Sequence, residues 1–148
     1  DADPARAEQA AAAWGAEVVP PEAIHAQEVE VFAPCALGAV LNAEPVEQLR
    51  CSVVAGAANN QLARPEHGER LRRRGILYAP DYAINAGGII EVAYELQGDT
   101  DPERLRRHLE RIGATLERIF ERAEAGGLDT ATVADRLAEE RLHGGAAA

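Results

Sequence analysis

The chain has 148 residues, 47% of them apolar, which is enough for one domain with a real core and argues against disorder. Its formal charge of −10 disfavours a nucleic-acid surface, which needs clustered positive charge, and no apolar run nears the roughly 20 residues of a membrane span. All fifteen positive side chains are Arg, so chemistry that requires a lysine base or Schiff-base nucleophile cannot be completed by this chain.

In chain order, "DPARAEQAAAAWGAE" predicts a helix with Asp3 as N-cap, Pro4 at the first helical position and a stop at Gly15. The start, "DADPARAEQA", has neither the basic nor the apolar region of a secretory signal. "AEVVP" reads as a short strand and "PEAIHAQ" as a polar connection, and "VEVFAP" (29–34) reads as a buried strand ended by Pro. "LGAVLNAEPVEQL" carries short helical turns, and "CSVVAGAANNQ" is a strand running into a loop of small residues. "RPEHGERLRRRG" predicts a helix closed by Gly75, with the one basic cluster, "RLRRR" (70–74), as its solvated face. "ILYAP" is then a fourth strand. Short apolar strands separated by short helices predict an α/β domain with a parallel sheet covered on both faces.

Beyond Gly88 the pattern becomes helical only. Ile89, Ile90, Val92, Ala93 and Leu96 recur at helical spacing. "DPERLRRHLERIGATLERIFERAEAGG" starts with Pro102 after Asp101 and carries Leu105, Leu109, Ile112, Leu116, Ile119 and Phe120 as one apolar stripe, ended by Gly126 and Gly127. The stripe is too brief for a coiled coil and suits packing on the sheet. "DTATVADRLAEERL" is a last helix capped by Asp129, and the trailing "GGAAA" reads as a frayed, disordered tail. His67 and His108 fall on polar helix faces, where solvent exposure and no functional role are expected. Two cysteines, Cys35 and Cys51, allow at most one bridge and show no metal-ligand spacing, so the expectation is a reduced, cytoplasmic chain with no metal site.

In open parallel sheets ligands bind beyond the carboxyl ends of the strands. "APCALG", "AGAANNQ" and "APDYAINAGG" each follow a strand and are rich in small residues that let a ligand approach the backbone. One such loop is usually a tight turn, whereas three at successive strand ends point to a site.

The order of "FAPCALGAVLN", "VVAGAANNQL", "GILYAPDYAINAGG" and "ADRLAEER" closely resembles the C-terminal, NAD-binding part of the Glu/Leu/Phe/Val amino-acid dehydrogenases, nearest the leucine, valine and phenylalanine branch. The resemblance runs from Asp1 to about Leu142. It implies a partial Rossmann-like, doubly wound parallel sheet over residues 1–88, without its first strands and Gly-rich turn. Helices over 89–143 would pack on that sheet and line an interdomain cleft, and 144–148 would form the tail. The implied activity is oxidative deamination of a branched-chain L-amino acid, leucine or valine, to the 2-oxo acid and ammonia with NAD. The family's two lysines would lie upstream, so no catalytic residue is assigned to this chain, which is expected to be an inactive fragment by itself. The full-length protein is expected to be a homo-oligomer acting on a small molecule, with no nucleic acid and no membrane as partner. A phenylalanine-type dehydrogenase and a non-catalytic nucleotide-binding module are the alternatives.

The resemblance also implies individual roles. Asp1 matches the acid that hydrogen-bonds the adenosine ribose, and otherwise it is a charged residue beside the Asp3 cap. Cys35 and Ala36 would lie beside the nicotinamide ribose through their backbones, the Cys35 sulfur serving only in packing. Asn59 matches the residue that binds the substrate carboxylate, with Asn60 supporting the turn. Asn85 matches the contact to the nicotinamide carboxamide, with Gly87 and Gly88 keeping the approach clear. Ile89 and Val92 match positions lining the substrate's side-chain pocket, and otherwise they are core residues. Glu91 and Tyr94 depart from the commonest family wording, which has Asn or Gln and Asp there.

Overall fold

A computed structural model describes residues 1–144. The chain runs α1 (Pro4–Trp14), a 3-10 helix (Pro21–Ala26), β1 (Val31–Phe32), α2 (Ala43–Gln48), β2 (Val53–Val54), α3 (Glu66–Arg73) and β3 (Leu77–Tyr78). Four helices follow: α4 (Asp81–Ile84), α5 (Gly87–Leu96), α6 (Pro102–Gly126) and α7 (Thr130–Gly144). The three strands form one parallel sheet in the order β1-β2-β3, with Val31, Val53 and Leu77 in one register row and Phe32, Val54 and Tyr78 in the next.

The register separates two environments. Phe32, Val54 and Tyr78 join Leu41, Val46, Leu49, Leu71 and Ile76 in one core. Val31 on the opposite face of β1 is 50% exposed, and Val29 is also exposed. Within 29–34 only Val31–Phe32 is strand, with Phe32 and Pro34 buried and the rest exposed, in place of the wholly buried strand expected. A second core, Ile119, Ala123, Val133, Ala134 and Leu137, joins α6 to α7 through the lower half of the α6 stripe. The two cores meet where the Thr130 hydroxyl, at the head of α7, donates to the Tyr78 carbonyl at 2.6 Å.

The caps behave as their residue types dictate. Asp3 accepts from Ala5 N–H at 2.9 Å, Asp101 from Glu103 and Arg104 N–H, and Asp129 from Thr132 N–H at 3.0 Å. Gly15, Gly75 and Gly127 adopt left-handed φ of 66°, 71° and 62° at or just past the ends of α1, α3 and α6.

Further expectations fail. "AEVVP" (16–20) forms no strand, since Pro20 and Pro21 supply no N–H to a ladder and Pro21 opens the 3-10 helix instead. "PEAIHAQ" is that 3-10 helix and not an open connection, so the described sheet has three strands where four were expected. His67 is buried, because it shares a face with Gly68 and Leu71, and its Nδ1 accepts the Arg64 N–H at 3.2 Å. His108 is half-buried, its ring 5.8 Å from that of Tyr94. Gly144 is the last residue of α7, while the rest of the expected tail, 145–148, lies outside the described residues.

In the basic cluster, Arg70, Arg72 and Arg73 are solvated, and Arg72 and Arg73 clamp Glu69, holding its carboxyl down at about 2. Arg74 instead reaches the end of α2 and donates to the Val46 and Leu49 carbonyls, capping that helix with positive charge.

Candidate active site

Three loops leave the carboxyl ends of β1, β2 and β3 and are sewn together by backbone bonds. Ala58 N–H donates to Pro34 O at 2.9 Å, Ala39 N–H to Asn60 O at 2.7 Å and Leu41 N–H to Gln61 O at 2.9 Å. The fit demands glycine at two crossings. A Cβ on Gly56 would stand 2.1 Å from Pro34 O, and one on Gly38 would stand 2.8 Å from Asn59 O. Asn60 is held at φ 52°, a left-handed conformation that Asn tolerates better than most residues.

Two buried side chains brace this arrangement from below. Gln61 is fully buried, and its Nε2 donates to Gly56 O at 2.8 Å and Ala58 O at 2.9 Å. Asp81, the first residue of α4, accepts from Asn60 N–H at 2.7 Å and from the Tyr78 hydroxyl at 2.9 Å. Burial, joined by the Asp81 charge and hydrogen bond, pushes the Tyr78 phenol well above its ordinary range. Asp81, Tyr78 and Gln61 carry no ligand-binding pattern in the sequence. An acid directly after a strand and a Pro was the available signal.

Above this brace the structure unites three of the expected site residues. Asn85 Nδ2 donates to Asn59 Oδ1 at 2.7 Å and to Ala57 O at 3.3 Å, joining the loop after β3 to the loop after β2. Cys35 Sγ accepts from Ala57 N–H at 3.5 Å, joining the loop after β1, and Ala36 beside it is exposed. The thiol therefore packs against the loop as a weak acceptor. The other cysteine, Cys51, is half-buried against the sheet core, and burial pushes its thiol up.

Ile89 and Val92 lie on α5, which begins two residues after Asn85, and they are 69% and 46% exposed. They are therefore not core residues of the described chain. Ile90 faces the other way and lines a cavity of about 230 Å³ between α4, α5, α6 and α7, which contains none of the loop asparagines. Asp1 Oδ1 accepts the Asp3 N–H at 2.9 Å, and among the described residues no hydrogen bond joins Asp1 to this group.

Side-chain amides and open backbone thus cluster at the carboxyl ends of the parallel strands of an α/β protein, the place where open α/β sheets generally hold their ligands. More particularly, the chain belongs to the Glutamate/Leucine/Phenylalanine/Valine dehydrogenase family, which it matches over residues 5–144. It is 48% identical to leucine dehydrogenase of Thermoactinomyces intermedius, over 96% of this chain and 38% of that protein. It is 46% identical to L-tryptophan dehydrogenase of Nostoc punctiforme, over 96% of this chain and 40% of that protein. The crystal structure of L-tryptophan dehydrogenase from Nostoc punctiforme superposes with a TM-score of 0.93 at 44% identity, covering 100% of this chain and 45% of the other. The hetero-hexameric glutamate dehydrogenase of Thermus thermophilus, in its Leu-bound form, gives 0.70 at 31% identity, covering 93% and 35%. The chain thus spans about two fifths of the length of the curated relatives it matches. Among the described residues no helix is long and apolar enough to cross a membrane.

Proposed function

We propose that this chain is the C-terminal, nucleotide-binding part of an NAD-dependent dehydrogenase that deaminates a branched-chain L-amino acid to its 2-oxo acid and ammonia. The observation that carries the reading is the Asn85–Asn59 hydrogen bond, which sets two amides side by side at the strand ends. Residues 1–88 form the nucleotide-binding unit, and 89–143 supply helices that pack on it and face the substrate.

The residues suit a dinucleotide. A Cβ on Gly88 would meet nothing within 4 Å, so the surface beside Asn85 is open. When bound there, NAD supplies the hydride acceptor for the amino acid's α-carbon. The chain's own residues orient. Asn85 Oδ1 accepts from the nicotinamide carboxamide, the backbones of Cys35 and Ala36 lie along its ribose, and Asp1 receives the adenosine ribose hydroxyls. Asn59 donates to the substrate carboxylate without adding charge, and Ile89 and Val92 form an aliphatic wall that suits leucine or valine. Proton transfer and the remaining carboxylate contact fall to lysines outside this chain, which has none. The whole enzyme is cytoplasmic and assembles as a homo-oligomer.

Steady-state kinetics on the full-length enzyme with leucine, valine and phenylalanine, beside NADH fluorescence titrations, test the reading. Asn59→Ala should lower kcat/KM for the amino acid about 10- to 150-fold, the loss of one hydrogen bond to a charged group, with NADH affinity kept. Lost cofactor affinity with intact amino-acid kinetics would exchange the roles of the two loops. An aromatic substrate is the second reading, favoured by the full coverage and TM-score of 0.93 against L-tryptophan dehydrogenase. A kcat/KM ranking led by phenylalanine or tryptophan decides for it.

A further inference from the structure

Which end of the Asn59 amide faces the ligand is decided two residues away, by a relay of amide orientations. A backbone carbonyl can only accept a hydrogen bond. Ala57 O, 3.3 Å from the Asn85 side chain, therefore requires the Asn85 amide to turn its NH2 group toward the loop after β2. The same Nδ2 lies 2.7 Å from the Asn59 side chain, which must answer with its oxygen. Asn59 is exposed, so its NH2 group is left turned outward, and Asn85 Oδ1 is left on the side away from Ala57. The Asn59 backbone cannot swing to change this. Its carbonyl lies against Gly38, and Asn60 after it is pinned by Asp81 at 2.7 Å and by Ala39 at 2.7 Å.

We infer that Asn85 is a positioning residue for substrate as well as a contact for the cofactor: by occupying Asn59 Oδ1 it forces Asn59 to present its NH2 to the substrate carboxylate. The inference rests on the proposed dehydrogenase reading. It makes amino-acid recognition depend on Ala57 O, through two successive donor–acceptor choices, with no contact between Asn85 and the substrate.

The test removes the donor at position 85, and with it the bond to Ala57 O. Asn85→Asp replaces the donor with an acceptor, so Asn59 must turn its NH2 inward and its oxygen outward, against the substrate carboxylate. In the full-length enzyme, Asn85→Asp should raise the amino-acid KM at least tenfold beyond Asn85→Ala, which leaves Asn59 free to turn either way. The excess should vanish when Asn59→Ala is added, whereas direct repulsion between the introduced carboxylate and the substrate would persist. A second readout needs no turnover. With asparagines labelled with 15N, the Asn59 side-chain NH2 should exchange rapidly with solvent in the wild type and become protected in Asn85→Asp. Equal KM for Asn85→Asp and Asn85→Ala, an excess that survives Asn59→Ala, or an Asn59 NH2 equally exchangeable in both proteins overturns the relay alone. An amino-acid KM untouched by Asn59→Ala overturns the substrate-binding role of Asn59 itself, and the relay with it.

Discussion

Removing the Asp81 carboxylate should cost stability out of proportion to its size. Asp81→Ala strands two donors, the Tyr78 hydroxyl, which is 2% exposed, and the half-buried N–H of Asn60. Hydrogen bonds to a charged acceptor contribute roughly 1.5–3 kcal/mol each, which sets a ceiling of about 3–6 kcal/mol. Against this, Asp81 is itself buried and forms no ion pair among the described residues, so its removal recovers desolvation energy. The stranded donors outweigh that recovery, and the expected net loss is about 2–4 kcal/mol. At about 2–4 °C per kcal/mol for a chain of this size, Tm falls by about 4–16 °C. Tyr78→Phe breaks one of the two bonds and should cost about 1–2 kcal/mol. Because that bond is then counted in both single variants, the double variant should fall short of their sum by about 1–2 kcal/mol. Urea unfolding followed by far-UV circular dichroism measures all three. Trp14 fluorescence would serve poorly, since that ring is 82% exposed on α1, a helix that buries no side chain. Additivity within about 0.5 kcal/mol would show that the Tyr78–Asp81 bond does not brace the loop.

Tyr78 and Tyr82 are both held above their ordinary range, Tyr78 by burial and then by Asp81, and Tyr82, which is half exposed, by partial burial and the Asp135 hydrogen bond. A raised folded value means their contribution is complete below about pH 10 and is lost as pH rises beyond it. Unfolding free energy should therefore decline on the alkaline side, less steeply in Tyr78→Phe, and phenolate absorbance from these two tyrosines appearing before unfolding would contradict this. Gly56→Ala drives a Cβ into Pro34 O at 2.1 Å, where both partners are backbone, so a loss of at least about 1–3 kcal/mol is expected by thermal denaturation, and an unchanged Tm would refute the close crossing. Gly88→Ala should do the reverse, raising helix stability by about 0.5–1 kcal/mol while weakening NADH binding in the full-length enzyme, and unaltered NADH affinity would move the nicotinamide away from α5. Val92→Ala should shift kcat/KM toward bulkier amino acids by about 1–3 kcal/mol of discrimination, and unchanged ratios across valine, leucine and phenylalanine would remove Val92 from the pocket.

Helices and loops were legible to different degrees for physical reasons. Caps and apolar stripes are local signals, so α1, α3, α6 and α7 begin and end close to where Asp3, Gly75, Asp101, Gly127 and Asp129 place them. Strands depend on their neighbours. "AEVVP" has the apolar content of a strand, yet no ladder partner meets it among the described residues, and the two prolines turn it away. His67 was misplaced because "RPEHGERLRRR" looks charged all round, whereas periodicity anchored on Leu71 puts His67 on the inner face. Asn59 and Asn85 could be singled out from their loops, but nothing in the sequence says that one amide grips the other. That contact spans 26 positions and exists only once β2 and β3 are paired. Asp81 is silent in the sequence because its partners, Tyr78 and Asn60, are uncharged and no charge pattern marks it.

The loops after β1 and β2 are tied to each other almost wholly main chain to main chain, from Pro34 with Ala58 to Leu41 with Gln61 and Ala63. A join of this kind is indifferent to most side chains. Ala36, Leu37 and Ala57 can be exchanged for other residues without loosening it, and Cys35 at the loss of one weak Sγ contact, provided Gly38, Gly56 and the buried Gln61 stay in place. The backbone join and the side chains it displays can therefore be rewritten separately. An engineer seeking a new ligand preference could randomise those four positions as a block and expect most of the library to remain folded.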